Sequence, residues 1–380
     1  MRLADPEGEW KISPDDDRLM LRRGEGEKTG TFYRVMTEGI DNDGDGEFNE
    51  DRVGGVDLNR NFPANWSAKQ LASGPFPLSE PESWALANYI TSRPNIAAIH
   101  TYHTSGGLIL RFPTLYGQDW DYPQTDLDDY NAIAVAGVEI TGYANYAADK
   151  QAIVDLMHPG HGVFNDWGSK IFGVLAITTE LWKHGEGSFR DPDYQDKLLK
   201  WNDEVLEGKG FVAWYPFDHP QLGEVELGGW DTFSISSPPE PMIAGEVERN
   251  TRWILTFAEK LPRMEILEVA ARPEPSGTAV EIETTVANVG WMPTATAYAA
   301  DILETAKPVR IFLSLTNAEL VDGLPDIELG VLPGAREQGP IRKTSKWRVR
   351  IVDASHAAGA EITVVSEKAG TVRKQVDLKR

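Results

Sequence analysis

The chain contains no cysteine in 380 residues, so disulfides and thiolate metal sites are excluded. Any metal would be held by histidine, carboxylate or carbonyl groups. Basic residues are scarce beside acidic ones: 37 Lys and Arg against 59 Asp and Glu, a formal charge of −22. Such a surface repels a phosphate backbone and argues against nucleic acid as a partner. No run approaches the roughly 18 apolar residues needed to cross a membrane. The opening MRLADPEGEW lacks the apolar core of a secretion signal. No Gly-x-Ser-x-Gly elbow occurs, which leaves a serine hydrolase without its nucleophile. What remains fits a globular chain with a real core: 41% hydrophobic and 25% charged residues, long enough for one large and one smaller domain.

Residues 1–53 are polar and turn-rich. After them, Ser79-Glu80-Pro81-Glu82 reads as a capping box with proline in the first turn. The helix it opens carries Trp84, Leu86, Ala87 and Ile90 on one face and stops near Pro94. NIAAIHTYH and GVLAITTELW read as buried strands, and helices are expected over 126–147, 195–207 and 245–260. This alternation predicts an α/β domain with a mixed sheet over residues 1–262. From residue 263 the period changes to two: MEILEVAARPEPSGTAVEIETTVANVG, VRIFLSL, KWRVRIV and AEITVVS predict an all-β, immunoglobulin-like sandwich over 263–380.

Chemistry is sought where polar residues close buried strands. GVDLNRNF presents Asn59 and Arg60, NIAAIHTYH presents His100 and His103, and LAITTELW ends in Glu180, a carboxylate costly to bury without a task or partner. A guanidinium can grip a carboxylate through two parallel hydrogen bonds, a histidine can hold Zn²⁺, and a glutamate can take a proton from water. Together these suit hydrolysis of a peptide at its free C-terminus. The plainer alternatives are an Arg60–Asp57 ion pair, a core histidine and a structural ion pair at Glu180.

At these residues the chain resembles the zinc carboxypeptidases, the M14 metallopeptidases. The resemblance covers roughly 15–260 through GVDLNRNF, the SEPES helix, NIAAIHTYH and GVFNDWGSKIFGVLAITTELW, in that order. It implies that Asn59 and Arg60 bind the substrate carboxylate and that Glu180 is the general base. It implies that His103, followed by TSGG, is the third zinc ligand, with His100 as the alternative. His158 occupies the place of the family's mobile tyrosine, and Asn165 that of a residue shaping the specificity pocket. Zinc would be the cofactor, and peptide or protein C-termini the partners.

One family element is missing. None of the seven histidines has Glu three residues later, so the His-x-x-Glu that supplies the first two zinc ligands does not occur. The expectation is a domain truncated at its N-terminus, with weak zinc binding and little turnover, since a zinc site needs three protein ligands. A non-catalytic module that binds peptide C-termini is the competing expectation. Lost edge strands would bare apolar surface and favour self-association. Separately, Asp41, Asp43 and Asp45 alternate before Gly46 like the first half of a calcium loop, but the twelfth position is Arg52; a solvated turn is the other reading.

Overall fold

In a computed structural model, the described residues are 1–42, 44, 46, 48–49, 55–111, 124–145, 161–183, 193–297, 300 and 305–379. In chain order the strands are β1 (Arg2–Ala4), β2 (Trp10–Ile12), β3 (Met20–Arg22), β4 (Tyr33–Val35), β5 (Ala98–Thr104), β6 (Leu108–Leu110), β7 (Ala144–Asn145), β8 (Leu175–Leu181), β9 (Phe211–His219) and β10 (Gly223–Trp230). They continue with β11 (Met264–Pro273), β12 (Val280–Asn288), β13 (Val309–Thr316), β14 (Ala318–Asp322), β15 (Asp326–Gly330), β16 (Arg342–Ile351), β17 (Ala358–Ser366) and β18 (Gly370–Leu378). The helices are α1 (Pro81–Thr91), α2 (Gln124–Thr141), α3 (Phe164–Trp167), α4 (Tyr194–Val205), α5 (Thr232–Ser236) and α6 (Glu240–Glu259). The chain divides into two compact units.

The first unit comprises Met1–Gly55, His103–Gly107 and Glu180–Glu248. Its centre is a six-stranded sheet in the order β3-β2-β4-β1-β10-β9. The four opening strands are three residues long each, too short to show a period in the sequence. They become strands because β1 pairs antiparallel with β10, Arg2 opposite Glu226, and the Arg2 guanidinium donates to the Glu226 carboxylate at 2.8 Å. Met1, Phe48, Val225 and Leu227 are buried together in this unit.

The second unit comprises Val56–Tyr102, Leu108–Thr179 and Arg249–Arg380. One sheet orders its strands β5-β8-β6-β7, with the β6–β7 pairing parallel. Ile109, Ile133, Leu175, Ile177 and Trp253 form its core against α2 and α6. Helix α1 starts at Pro81 as expected, but its N-cap is Glu80 with no side-chain capping bond. Ser79 instead donates to the Glu80 carboxylate and accepts from Asn61. The buried face of α1 is Ser83, Ala87 and Ile90, while Trp84 and Leu86 are exposed.

From Met264 onward the period-two pattern is realised as two four-stranded antiparallel sheets, β11-β12-β16-β14 and β15-β13-β17-β18. Ile282 and Trp347 lie opposite each other in the first sheet. They share one apolar cluster with Ile311, Ile362 and Val364 of the second. Burying one face of each sheet is what the alternation encodes.

Candidate active site

GVDLNRNF folds into a single 3₁₀ turn, Leu58–Arg60. Its N-cap is Asp57, whose carboxylate accepts the Asn59 backbone N–H at 2.9 Å. That bond engages Asp57 locally, and no ion pair forms between Asp57 and Arg60. The Arg60 guanidinium donates from Nη1 to the Asn59 carbonyl at 2.8 Å, and among the described residues no carboxylate stands within ion-pair distance of it. Asn59 is held from the other side: its Oδ1 accepts the Phe164 N–H at 2.9 Å, at the start of α3.

Two residues outside the sequence-derived set shape this turn. Asn61 has no exposed surface, and its amide donates to the Ser73 and Phe76 carbonyls and to Ser79 Oγ, while its Oδ1 accepts from Ser83 Oγ and Glu80 N–H. A fully satisfied buried amide fixes the backbone that carries Arg60. Gly162 lies against that turn at φ +69°, where an added Cβ would come within 2.1 Å of the Arg60 carbonyl oxygen. The NRN repeat of amides was the sequence signal for Asn61; nothing short of the contact marks Gly162.

Strand β8 carries Thr178 and Thr179, both fully buried, directly before Glu180. Thr178 Oγ1 binds Thr101 Oγ1 at 2.8 Å and accepts from the Asn165 amide, while Asn165 Oδ1 accepts from Thr101. Asn165 is thus a buried, fully engaged side chain. Below it, Lys170 Nζ stands 3.3 Å from Asp166 Oδ1 with both groups buried. Burial pushes the Asp166 carboxyl up and the Lys170 ammonium down, and their mutual attraction opposes both shifts.

His100 turns to the opposite face of the sheet. Its Nε2 is 2.8 Å from Thr179 Oγ1, and its ring packs edge-on against Trp253 and Phe257. Burial lowers its pKa to about 4, so it is a neutral core histidine at physiological pH. Thr101 and Thr178, bonded to each other and to Asn165, lie on the other face. Among the described residues the Glu180 side chain has no hydrogen-bond or ion-pair partner, and desolvation raises its pKa to about 7. A carboxylate poised near neutrality is suited to accepting and returning a proton.

His158, Asp43 and Asp45 lie outside the described residues. Asp41 is described, and its carboxylate accepts the N–H groups of Gly44 at 2.6 Å and Gly46 at 3.0 Å, the bonding of a turn.

A model of the zinc carboxypeptidase family, Peptidase_M14, matches residues 31–205. Over that segment the chain is similar to the M14 family. Bovine carboxypeptidase O is 29% identical over 44% of the chain and 46% of its own length. Human carboxypeptidase O is 30% identical over 37% and 39%, and rat mast cell carboxypeptidase A is 26% identical over 43% and 41%. The chain thus spans less than half the length of these relatives. Residues 263–377 match a domain of unknown function, DUF8731. A solved conjugative transposon lipoprotein from Bacteroides eggerthii aligns over 31% of the chain and 97% of its own, at 10% identity and a TM-score of 0.17 that carries no fold argument.

The family implies zinc. Among the described residues, no three His, Asp or Glu side chains gather as a metal site would require, so a full donor set is not presented there. Nor, among them, is any helix long and apolar enough to cross a membrane.

Proposed function

We propose that the chain acts on the free C-terminus of peptides, in the manner of a carboxypeptidase. Arg60, with Asn59 beside it, holds the terminal carboxylate, and Glu180 moves the proton during hydrolysis of the adjoining amide. Asn165 borders the side-chain pocket, His103 is the histidine directed to the metal, and His158 is a further substrate contact. The observation that carries this reading is Arg60 itself. The acid nearest in sequence is capping a turn, so the planar fork has no carboxylate of its own among the described residues. Leaving such a group unpaired beside Asn59 is understandable when the partner arrives with the substrate.

A second reading, a module that binds C-termini without cleaving them, draws on the absence of a three-ligand donor cluster among the described residues. One experiment separates the two. A peptide with a free C-terminus and the same peptide as its amide are offered to the chain, with and without added Zn²⁺. Hydrolysis of the free acid alone, abolished by Glu180→Gln, supports the peptidase. Binding of the free acid without turnover supports the module, and equal binding of acid and amide rejects both.

The proposal takes 1–262 as the working domain and 263–380 as an accessory one of immunoglobulin-like sandwich type. Exposed Leu71, Phe76 and Trp84 provide the apolar surface for self-association. Size-exclusion chromatography checks it, and a monodisperse monomer at high concentration counts against it.

A further inference from the structure

Two carbonyls just ahead of β5 are hydrogen-bonded by side chains from the C-terminal region. Thr296 Oγ1 donates to the Ala97 carbonyl at 2.6 Å, and Lys368 Nζ donates to the Ile96 carbonyl at 2.9 Å. All four residues belong to the second unit. A third contact is made by Gly173, which ends the helical turn Gly168–Phe172 at φ +80°. A Cβ there would meet that of Ala300 at 2.8 Å. Lys368 differs from the other two contacts in carrying a charge. It sits in the turn between β17 and β18 and is only 8% exposed. Its neighbour Glu367 is engaged by Lys307, whose ammonium lies 3.0 Å away. Among the described residues no carboxylate stands within ion-pair distance of Lys368. Its ammonium has the Ile96 carbonyl and the face of Phe172, 4.6 Å from the ring centroid. Burying an ammonium costs free energy that a methionine of similar length would not. What the charge adds is direction: a carbonyl and a ring face together fix where the side chain ends, and with it where Phe172 lies.

From Phe172 the contacts run without a break to the Arg60 turn. The Phe172 ring stacks on Trp167 with centroids 5.9 Å apart and planes 17° from parallel. Trp167 in turn lies 5.7 Å from Phe62 and 5.8 Å from Phe164. Phe62 is two residues beyond Arg60, and the Phe164 N–H is the one that holds Asn59 Oδ1. These rings share one apolar cluster with Ile96, whose carbonyl Lys368 binds. Close-packed interiors transmit displacement, so a shift of Phe172 shifts what it supports. We propose that Lys368 is a positioning residue for the Arg60 turn, acting through Phe172 and Trp167, and that the C-terminal sheets serve to hold it in place. This rests on the reading of Arg60 given above in one respect only: the positioned turn is taken to grip a peptide's terminal carboxylate.

The test compares Lys368→Met, which keeps the stem and removes the ammonium, with Lys368→Arg, which keeps a cation able to donate and to stack. Hydrogen exchange of the full chain reads the amides of Arg60, Asn61 and Phe62, which are bonded to the Asp57, Leu58 and Gly162 carbonyls. Lys368→Met is expected to speed their exchange about fivefold, the scale of coupling through packed contacts, while Ile362 and Val364 of β17 exchange as in the parent. Lys368→Arg is expected to bring the rate back to within about twofold of the parent. Fluorescence anisotropy then compares a labelled peptide with a free C-terminus and the same peptide as its amide. Lys368→Met is expected to weaken binding of the free acid about fivefold and to leave the amide unchanged. Unchanged exchange at residues 60–62 in Lys368→Met overturns the proposal. So does acceleration that spreads equally to β17, or that Lys368→Arg fails to reverse. Faster exchange with undiminished binding of the free acid overturns the link to carboxylate recognition. A parent chain that binds acid and amide alike defeats the reading of Arg60 instead, and the exchange rates alone then decide the positioning role.

Discussion

The C-terminal sheets and the M14 segment treat charged groups in opposite ways. Where Val280–Glu283 of β12 pairs with Lys346–Val349 of β16, the charges stand on the outer face: Glu283 meets Lys346 at 3.0 Å, and Glu281 lies opposite Arg348 in the pairing register. Val280, Ile282, Val349 and Trp347 fill the inner face. In the M14 segment, polar side chains are taken out of water: Asn61, Thr178 and Thr179 have no exposed surface, Asp166 and Lys170 are buried together, and Glu180 is largely desolvated without a partner among the described residues. Burying such groups costs free energy unless each is hydrogen-bonded, and most of these are. The contrast separates a region organised for packing from one that spends stability on placing functional groups.

The comparison breaks most visibly at Trp347. It is 1% exposed, and its indole N–H donates to the Leu324 carbonyl at 2.7 Å. Trp347→Ala should cost about 3–5 kcal/mol in the C-terminal sheets. Denaturant unfolding followed by near-ultraviolet dichroism measures it. If the two regions differ as described, binding of a peptide C-terminus survives the substitution under native conditions.

Arg60→Ala is the converse, with small loss of stability and large loss of function. Removing a bidentate carboxylate contact should weaken binding of a free C-terminus about a hundredfold. Arg60→Lys, a point charge without the fork, should recover about a tenth of that loss or more. Fluorescence anisotropy of a labelled peptide reads both, and a thermal melt within a degree or so of the parent confirms that the fold is intact. An Arg60→Ala chain that binds as well as the parent ends the proposed role.

Glu180 tests the claim that stability is spent at the site. Its folded pKa is about 7 against 4.5 for the unfolded chain. Between those values the unfolded carboxyl ionises while the folded one stays protonated. The stability it contributes is therefore complete below pH 4.5 and is lost as pH rises through 7. Glu180→Gln removes that loss and should be more stable than the parent at pH 8 by about 1 kcal/mol, after allowance for partial exposure. At pH 4.5 the two should melt together. Calorimetry at both pH values decides it, and a variant less stable at pH 8 would show that the carboxylate has a stabilising partner.

How much of this was legible beforehand divides along the same line. The two C-terminal sheets follow the alternation that Ile282, Glu283 and Thr284 display on paper, because a half-buried strand writes its burial into every second residue. Helices α2, α4 and α6 fall where apolar spacing put them, within a few residues. The opening strands were not legible, since three residues cannot show a period and the β1 partner, β10, lies more than two hundred residues downstream. Around the proposed site, residue types singled out Asn59, Arg60 and Glu180. The loss of the expected Ser79 cap could not be foreseen, because its hydroxyl is claimed by Asn61 and Glu80, contacts made only once the chain has folded. His100 and His103 were indistinguishable by type; the Thr179 bond and the Trp253 ring assign His100 to the core.

The smallest effect is expected at Lys346, and it tests the packing side of the contrast. Its ammonium bridges Glu281 and Glu283 across the outer face, and each partner pushes its pKa up. All three side chains are well exposed, at 57%, 46% and 31%. In water an ion pair of this kind gives back in side-chain entropy and screening most of what it gains by attraction. Lys346→Ala should therefore leave the melting temperature at moderate salt unchanged within error. Lowering the salt should open a small deficit, because unscreened Glu281 and Glu283 then repel each other on the same strand. A large deficit at moderate salt would mean that the outer face of these sheets carries stability as well, and the division between the two regions would have to be redrawn.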